Sequence, residues 1–516
     1  MNNVFFNQDF LFAEKEILNK YNLSSLNLMK SAGINSAAFI KDYFYQNSFR
    51  QVIIFCGKGN NAGDGLVIAG SLLSDNIPVK LILCYEIDLY KGDALYNLNL
   101  LLNSNSKYLE IISSINNLKF ENSSNELVVD CLFGIGFKGE PDNKTNDVIN
   151  LINSFKKQNV ISIDIPSGLS TYNSNLTVNA SHTLSMGAYK FETLFDKGKL
   201  CSGKVRLIDI GISQKIFSEF NTKNIYKIEL SDYSSIKRKL TANKYSNGKV
   251  FILAGNINYP GAAILTAKAS FRTGSGAVVS ALPENIYSHI SENIIESVKL
   301  PLAVNSNSGI KNNSENFEKI KDKILWSDCT VLGPGLGRDA ETMSLIIKII
   351  AEIPGKYIID ADALFAFNSN IKLLRNSNSE LIITPHTGEF LNLTGYSKSD
   401  LDNNIYELTK SFAADNNINL LLKGSTSIFT NGKITLISNF GKENLASFGT
   451  GDILSGILAS CFATLNSPEK SVINSLLIQG LSSEFLYNIN QNSMIASDML
   501  DVIPKIILEL ENNTFF

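Results

Sequence analysis

The chain has 516 residues, room for two or more domains, and its 44% hydrophobic and 9% aromatic residues rule out a disordered or fibrous protein. Charged residues make up only 18%, with 60 asparagines filling much of the polar share, and 46 basic against 49 acidic residues leave a formal charge of −3. No broad field favours nucleic acid or an anionic membrane, so neither is expected as a partner and any phosphate site has to be local.

No apolar run approaches about 18 residues, and the opening MNNVFFNQDFLFAEKE lacks a basic stretch followed by an apolar one, so a cytoplasmic protein is expected. The six cysteines are scattered without a CxxC pair and read as reduced core thiols. Three histidines exclude histidine-rich metal chemistry.

Periodicity predicts a helix over about residues 8–45, in two pieces around Tyr21 and Asn22. Apolar runs predict strands at Val52–Cys56, Val79–Cys84, Leu127–Cys131, Val160–Ile165 and Val205–Ile208, with helical stretches between most of them. From Gly211 to Lys249 the pattern loosens into a polar stretch, the expected boundary between domains 1–225 and 226–516. A second series follows at Val250–Ala254, Ala277–Ala281, Cys329–Leu332, Tyr357–Ile359, Leu381–Thr384 and Asn419–Lys423, then a long helical region from about Thr450. Strand and helix in alternation predict an α/β fold with a parallel sheet in each half, and ligands at the carboxyl ends of the strands.

In the first half, the strand QVIIFC enters GKGNNAGDG and then an amphipathic helix. Glycines let backbone approach a ligand, and a helix amino terminus offers free N–H groups to an anion. Asn60, Asn61 and Asp64 add oxygens suited to a hard cation or a ribose hydroxyl. Asp130 ends the next strand ahead of the Gly134, Gly136 and Gly139 loop, and Asp164 and Ser167 flank Pro166 at a third strand end. Any one of these carboxylates could cap a helix, but three strand ends together predict a pocket.

The motifs GNNAGDG, DCLFGIG and DIPSG, followed by LSMGAYK and GKVRLIDIGI, resemble the NAD(P)H-hydrate epimerase domain over nearly all of residues 1–225. That resemblance implies a Rossmann-like α/β/α sandwich. It implies that Asn60, Asn61, Ala62, Gly63 and Asp64, with Gly134, Ile135, Gly136, Phe137, Lys138, Gly139 and Glu140, line a hydrated dinucleotide (NADHX or NADPHX) that Asp164 contacts. Asn61, Asp130 and Ser167 would hold a potassium ion (K+). Ala62 departs from the family's usual glycine and is tolerable at negative φ. Either Asp64 or Asp164 could move the proton that epimerisation requires.

The strongest signal in the second half is NLASFGTGDILSGILASC. A Gly-Thr-Gly turn opening a helix gathers N–H groups for phosphate, and Asp452 beside it can accept a hydroxyl proton. An Asp near a helix start is otherwise only favoured by the dipole. GNINYPGAAIL, VLGPGLGRD, IIDADALF, ITPHTGEF and LLLKGSTSIF follow strands in the order such a kinase-like fold needs, the last with Lys423–Ser427 at a hairpin turn.

GPGLG, DADAL and PHTGE together resemble the ribokinase-like ADP-dependent NAD(P)H-hydrate dehydratase over about residues 230–510. The resemblance implies substrate contacts from Ala262, Gly337, His386 and Asp452, and nucleotide contacts from Lys423, Gly424, Ser425, Thr426, Ser427 and Gly451. It also implies magnesium (Mg2+) with the nucleotide and ADP as the phosphoryl donor. Thr387, Phe365 and Asn247 depart from the family's usual residues and bear on substrate fit. The expected protein is a bifunctional repair enzyme and a homo-oligomer, with Asp64, Asp164 and Asp452 as its catalytic candidates. The alternative is a small-alcohol or vitamin-precursor kinase carrying a non-catalytic dinucleotide-binding domain.

Overall fold

The computed structural model describes residues 1–113, 125–137, 142–169, 176–368, 371–375 and 378–514. The chain forms two compact units, Asn2–Lys227 and Ile228–Phe516, with Met1 counted in the second. Both are α/β, as expected.

In the first unit, two helices, Asn7–Tyr21 and Ser25–Gln46, are separated where Asn22 turns left-handed at φ 50°. Seven parallel strands then lie side by side in the order Leu109–Ile112, Val79–Leu83, Gln51–Cys56, Glu126–Cys131, Val160–Ile163, His182–Met186 and Lys204–Ile208. Chain order runs outward to one edge and then to the other, so the switch point lies between Gln51–Cys56 and Glu126–Cys131. Alternate residues of one strand serve opposite cores: Val52 and Ile54 pack on one face, Ile53 and Phe55 on the other. Burial on both faces is why this strand reads as an unbroken apolar run. Outside these seven, Asn2–Phe5 pairs antiparallel with Ile225–Lys227 and parallel with Tyr189–Lys190.

The second unit has seven parallel strands in the order Val298–Leu302, Ala277–Pro283, Lys249–Leu253, Cys329–Leu332, Lys356–Ile359, Glu380–Ile383 and Asn419–Leu422. An antiparallel extension, Ser427–Thr430 and Thr435–Ser438, closes that edge. Its switch point lies between Lys249–Leu253 and Cys329–Leu332. The expected long helical region after Thr450 consists of the helices Thr450–Leu465, Pro468–Asn490 and Asp498–Asn512. The first break comes where Asn466 adopts φ 59° and Ser467 caps a new helix that begins on Pro468. All six cysteines are buried and free, and no helix among the described residues is long and apolar enough to cross a membrane.

Candidate active sites

The first unit's site is assembled at its switch point, where a doubly wound sheet leaves a crevice beyond the strand ends. The helix Asn60–Ser74 begins at the first asparagine, so Asn60–Asp64 form its first turn and not a loop. The first helical bond runs from Gly63 N to Gly59 O at 3.2 Å, so the N–H groups ahead of it have no helical partner. Ala62 sits in this helix with its methyl fully buried in the core, so the extra carbon strains nothing. Gly57 is required: a Cβ there would lie 2.0 Å from the Leu132 carbonyl oxygen of the neighbouring strand end.

Asp130 is fully buried and saturated. One oxygen accepts from Leu132 N (3.2 Å) and Ser167 Oγ (2.6 Å), the other from Ser162 Oγ (2.8 Å) and Ser167 N (2.9 Å). Burial raises its pKa while these donors oppose the shift. Ser167 Oγ in turn accepts from Phe133 N at 3.0 Å, so Asp130 fixes Ser167 against the glycine loop.

Asn61 is 7% exposed, and both its amide atoms are buried without a hydrogen-bond partner. Buried polar groups are rarely left so, and this pair asks for a ligand. A Cβ on Gly134 would touch both Asp164 Oδ2 (3.2 Å) and the Asn61 side chain (3.5 Å), which puts these three residues together. Phe133 and Phe137 stack at 4.1 Å around the loop's Gly134–Gly136 segment. Lys138, Gly139 and Glu140 lie outside the described residues.

Asp164 adopts φ 68° and receives Ile135 N and Met186 N at 3.4 Å each. Its Oδ1 is 2.6 Å from the ammonium of Lys190, a residue with no exposed side chain. That ammonium also donates to Met186 O and lies 4.0 Å from the Phe10 ring centre. Asp64 faces the same group of charges. Burial, Asp164 and Glu14 push its pKa well up, Lys190 alone opposing them, while Glu14 is itself raised by burial. A lysine inside LSMGAYKFETLF carries no sequence signal that it is buried.

In the second unit the strand ends meet in the same way. Gly333 has φ 127°, and a Cβ there would fall 1.7 Å from the Asp360 carbonyl oxygen. Gly335 abuts Ala262, where a Cβ would lie 2.7 Å from the Ala262 methyl, and a Cβ on Gly337 would lie 2.4 Å from Asn256 Nδ2. Gly337 N and Arg338 Nε donate to Asp362, at 2.9 and 3.1 Å.

His386 caps the helix Thr387–Thr394, its Nδ1 accepting from Glu389 N at 3.2 Å while the Glu389 carboxylate accepts from His386 N at 2.8 Å. Its ring is nonetheless 61% exposed, and its backbone bridges to Lys423. Lys423 heads the turn that holds Gly424, Ser425 and Thr426 before strand Ser427–Thr430. Its ammonium lies 2.6 Å from Asp360 Oδ1 and 3.7 Å from where a Gly451 Cβ would stand.

Gly449, at φ 89°, caps the helix whose first turn is Thr450, Gly451 and Asp452. Burial first, then nearby Asp360, pushes the Asp452 pKa up to about 7, with Lys423 opposing and Asp362 reinforcing. A carboxyl with that pKa beside a bed of helix N–H groups is suited to take a proton near neutral pH. The structure thus gathers Ala262, Gly337, His386, Lys423, Gly451 and Asp452 along one row of strand ends. It adds Asp360, Ser455 and Asn256, which no motif had assigned a role.

Two doubly wound α/β units, each with glycine turns and buried carboxylates at its strand ends, define a two-centre nucleotide enzyme. Residues 25–191 match the model of the YjeF-related protein amino terminus, and residues 250–505 match that of NAD(P)H-hydrate dehydratase. A relative from Dictyoglomus turgidum, named bifunctional NAD(P)H-hydrate repair enzyme Nnr, is 30% identical over 506 residues, covering 96% of each chain. Relatives of the same name from Moorella thermoacetica and Escherichia coli are 28% and 26% identical, over 95% and 98% of this chain and 94% of each of theirs. The ADP/ATP-dependent NAD(P)H-hydrate dehydratase of Bacillus subtilis, crystallised with ATP and Mg2+, aligns with 53% of this chain and 94% of its own, at 23% identity and TM-score 0.46. The chain belongs to the family of bifunctional NAD(P)H-hydrate repair enzymes.

Proposed function

We propose that the chain repairs hydrated nicotinamide dinucleotides in two steps, residues 1–225 interconverting the R and S hydrates of NADH and NADPH and residues 226–516 dehydrating the S hydrate with ADP. The observation that carries this reading is Asp452, a carboxyl with pKa about 7 at a phosphate-suited helix start and beside the Lys423–Asp360 pair.

In the second unit, Asp452 takes the proton from the substrate hydroxyl as its oxygen attacks the terminal phosphorus of ADP. The bond to the AMP oxygen breaks, and Lys423 and the Gly451 turn hold the transferring group. Phosphate then leaves with the carbon–oxygen electron pair, the neighbouring ring carbon gives up a proton, and the reduced nicotinamide ring is restored. Ala262, Gly337 and His386 orient the dinucleotide, and Gly424–Ser427 line the nucleotide.

Asp360 and Asp362 already engage Lys423, Ser455, Gly337 and Arg338, so Mg2+ fits as the companion of the nucleotide phosphates and not as a resident ion. Such an ion neutralises phosphate charge when bound.

In the first unit, the helix start Asn60–Asp64 and the Gly134–Phe137 loop cradle the dinucleotide, and Asp64 and Asp164 face the carbon that changes configuration. The unpartnered Asn61 amide oxygen, with the Ser167 hydroxyl that Asp130 fixes, fits a monovalent cation such as K+, which would supply fixed positive charge against a phosphate. A cytoplasmic location agrees with this chemistry.

The test is the purified chain supplied with mixed hydrates and either ADP or ATP. Recovery of reduced-nicotinamide absorbance with release of AMP and phosphate is the expected result, and it should be lost in Asp452→Asn. A stable phosphorylated product without that absorbance would instead show a kinase.

A further inference from the structure

We infer that Asp360 is a positioning residue of the dehydratase centre, holding the Lys423 ammonium at the Gly451 turn and tying it to the helix that carries Asp452. The inference rests on the dehydratase reading above and adds to it a residue to which no role has been given.

Asp360 is 1% exposed and both its oxygens are taken, Oδ1 by Lys423 Nζ and Oδ2 by Ser455 Oγ, each at 2.6 Å. Ser455 stands three residues beyond Asp452 on the helix Thr450–Leu465, hence on the same face. The Asp360 backbone is held as well: its carbonyl is packed against Gly333, where only a glycine fits. Lys423 is fixed by its own N–H to Pro385 O at 2.8 Å. Two separate elements therefore converge on one carboxylate, and a third packs against the backbone of the same residue.

A lysine that merely met phosphate in solvent would need no such partner. Burying a carboxylate beneath it carries a desolvation cost, which is offset only by well-made contacts. Lys423 keeps 20% of its side chain exposed, and an ammonium has three donors, so it can hold Asp360 and still offer N–H groups to a phosphate. The groups facing Asp452 are Asp360, Lys423 and Asp362, with Asp362 paired to Arg338. Asp360 thus aims the lysine and also supplies negative charge that makes Asp452 harder to ionise.

The experiment uses the full chain with Asp360→Asn and Ser455→Ala, measuring kcat, KM for ADP and the pH profile of dehydration, with the fluorescence of Trp326, which lies in the same unit, as the folding control. Asp360→Asn should raise KM for ADP at least tenfold and move the acid limb of the profile down by about one pH unit, as removal of a nearby like charge requires. Ser455→Ala should raise KM about threefold and leave the limb in place, and it decides the matter if Asp360→Asn does not fold. Wild-type KM and an unmoved limb in a folded Asp360→Asn would overturn this inference alone, as would wild-type KM in Ser455→Ala. Absence of ADP-dependent dehydration in the wild-type chain would overturn the parent reading with it.

Discussion

The ammonium of Lys190, entirely withdrawn from solvent, stands 2.6 Å from the Asp164 carboxylate in the first unit. A buried pair of this kind adds little over an apolar replacement, but removing one member leaves the other charge uncompensated. Lys190→Met is therefore expected to destabilise the first unit by about 3–5 kcal/mol and to abolish epimerisation. The double variant Lys190→Met with Asp164→Asn should regain part of the stability and none of the activity. Hydrogen exchange of the strand Val160–Ile163 compares the variants, and equal protection in Lys190→Met and wild type would refute the expectation.

Asp452 sets a pH window for the second unit. As a base it must be ionised, so dehydration should rise with pH through about 7. Stability runs the other way. The folded pKa lies above the unfolded one, so between about pH 4 and 7 the folded state keeps a proton that the unfolded chain has lost, and stability falls as pH rises through that window. Asp452→Asn should match the wild type near pH 4, exceed its stability at pH 8, and dehydrate about 10²–10⁴ times more slowly. The single tryptophan, Trp326, belongs to this unit and reports its unfolding by fluorescence.

Cation binding can be separated from catalysis at Asn61. Leu fills a similar volume and removes two unpartnered polar atoms, so Asn61→Leu should keep or raise stability in choline chloride. The wild type should gain stability on replacing choline with potassium, through mass action on the folded state, and the variant should not. Thermal melts across a potassium series measure both, and a potassium response surviving in Asn61→Leu would place the ion elsewhere.

Gly333→Ala tests the backbone beneath Asp360. With φ at 127° and a methyl 1.7 Å from the Asp360 carbonyl oxygen, the strand ends have to part, at a cost on the order of 2–3 kcal/mol. Dehydration should fall with epimerisation intact, and a fully active variant would show that this turn tolerates displacement.

The α/β class, most strands of the two parallel arrays and the glycine turns that follow them are legible in the residues alone, because doubly buried strands are apolar runs and tight turns require particular residues. Strands such as His182–Met186 or Val298–Leu302 are not, being rich in polar residues or edge-exposed and carrying no clear period. Folding in three dimensions sets Lys190 in the interior against Asp164, brings Asp360 to Lys423 63 residues away and to Ser455 95 residues away, and makes His386 the cap of its own helix. Such pairings depend on which strand ends become neighbours. That choice is made by packing and strand order, and local sequence patterns carry neither.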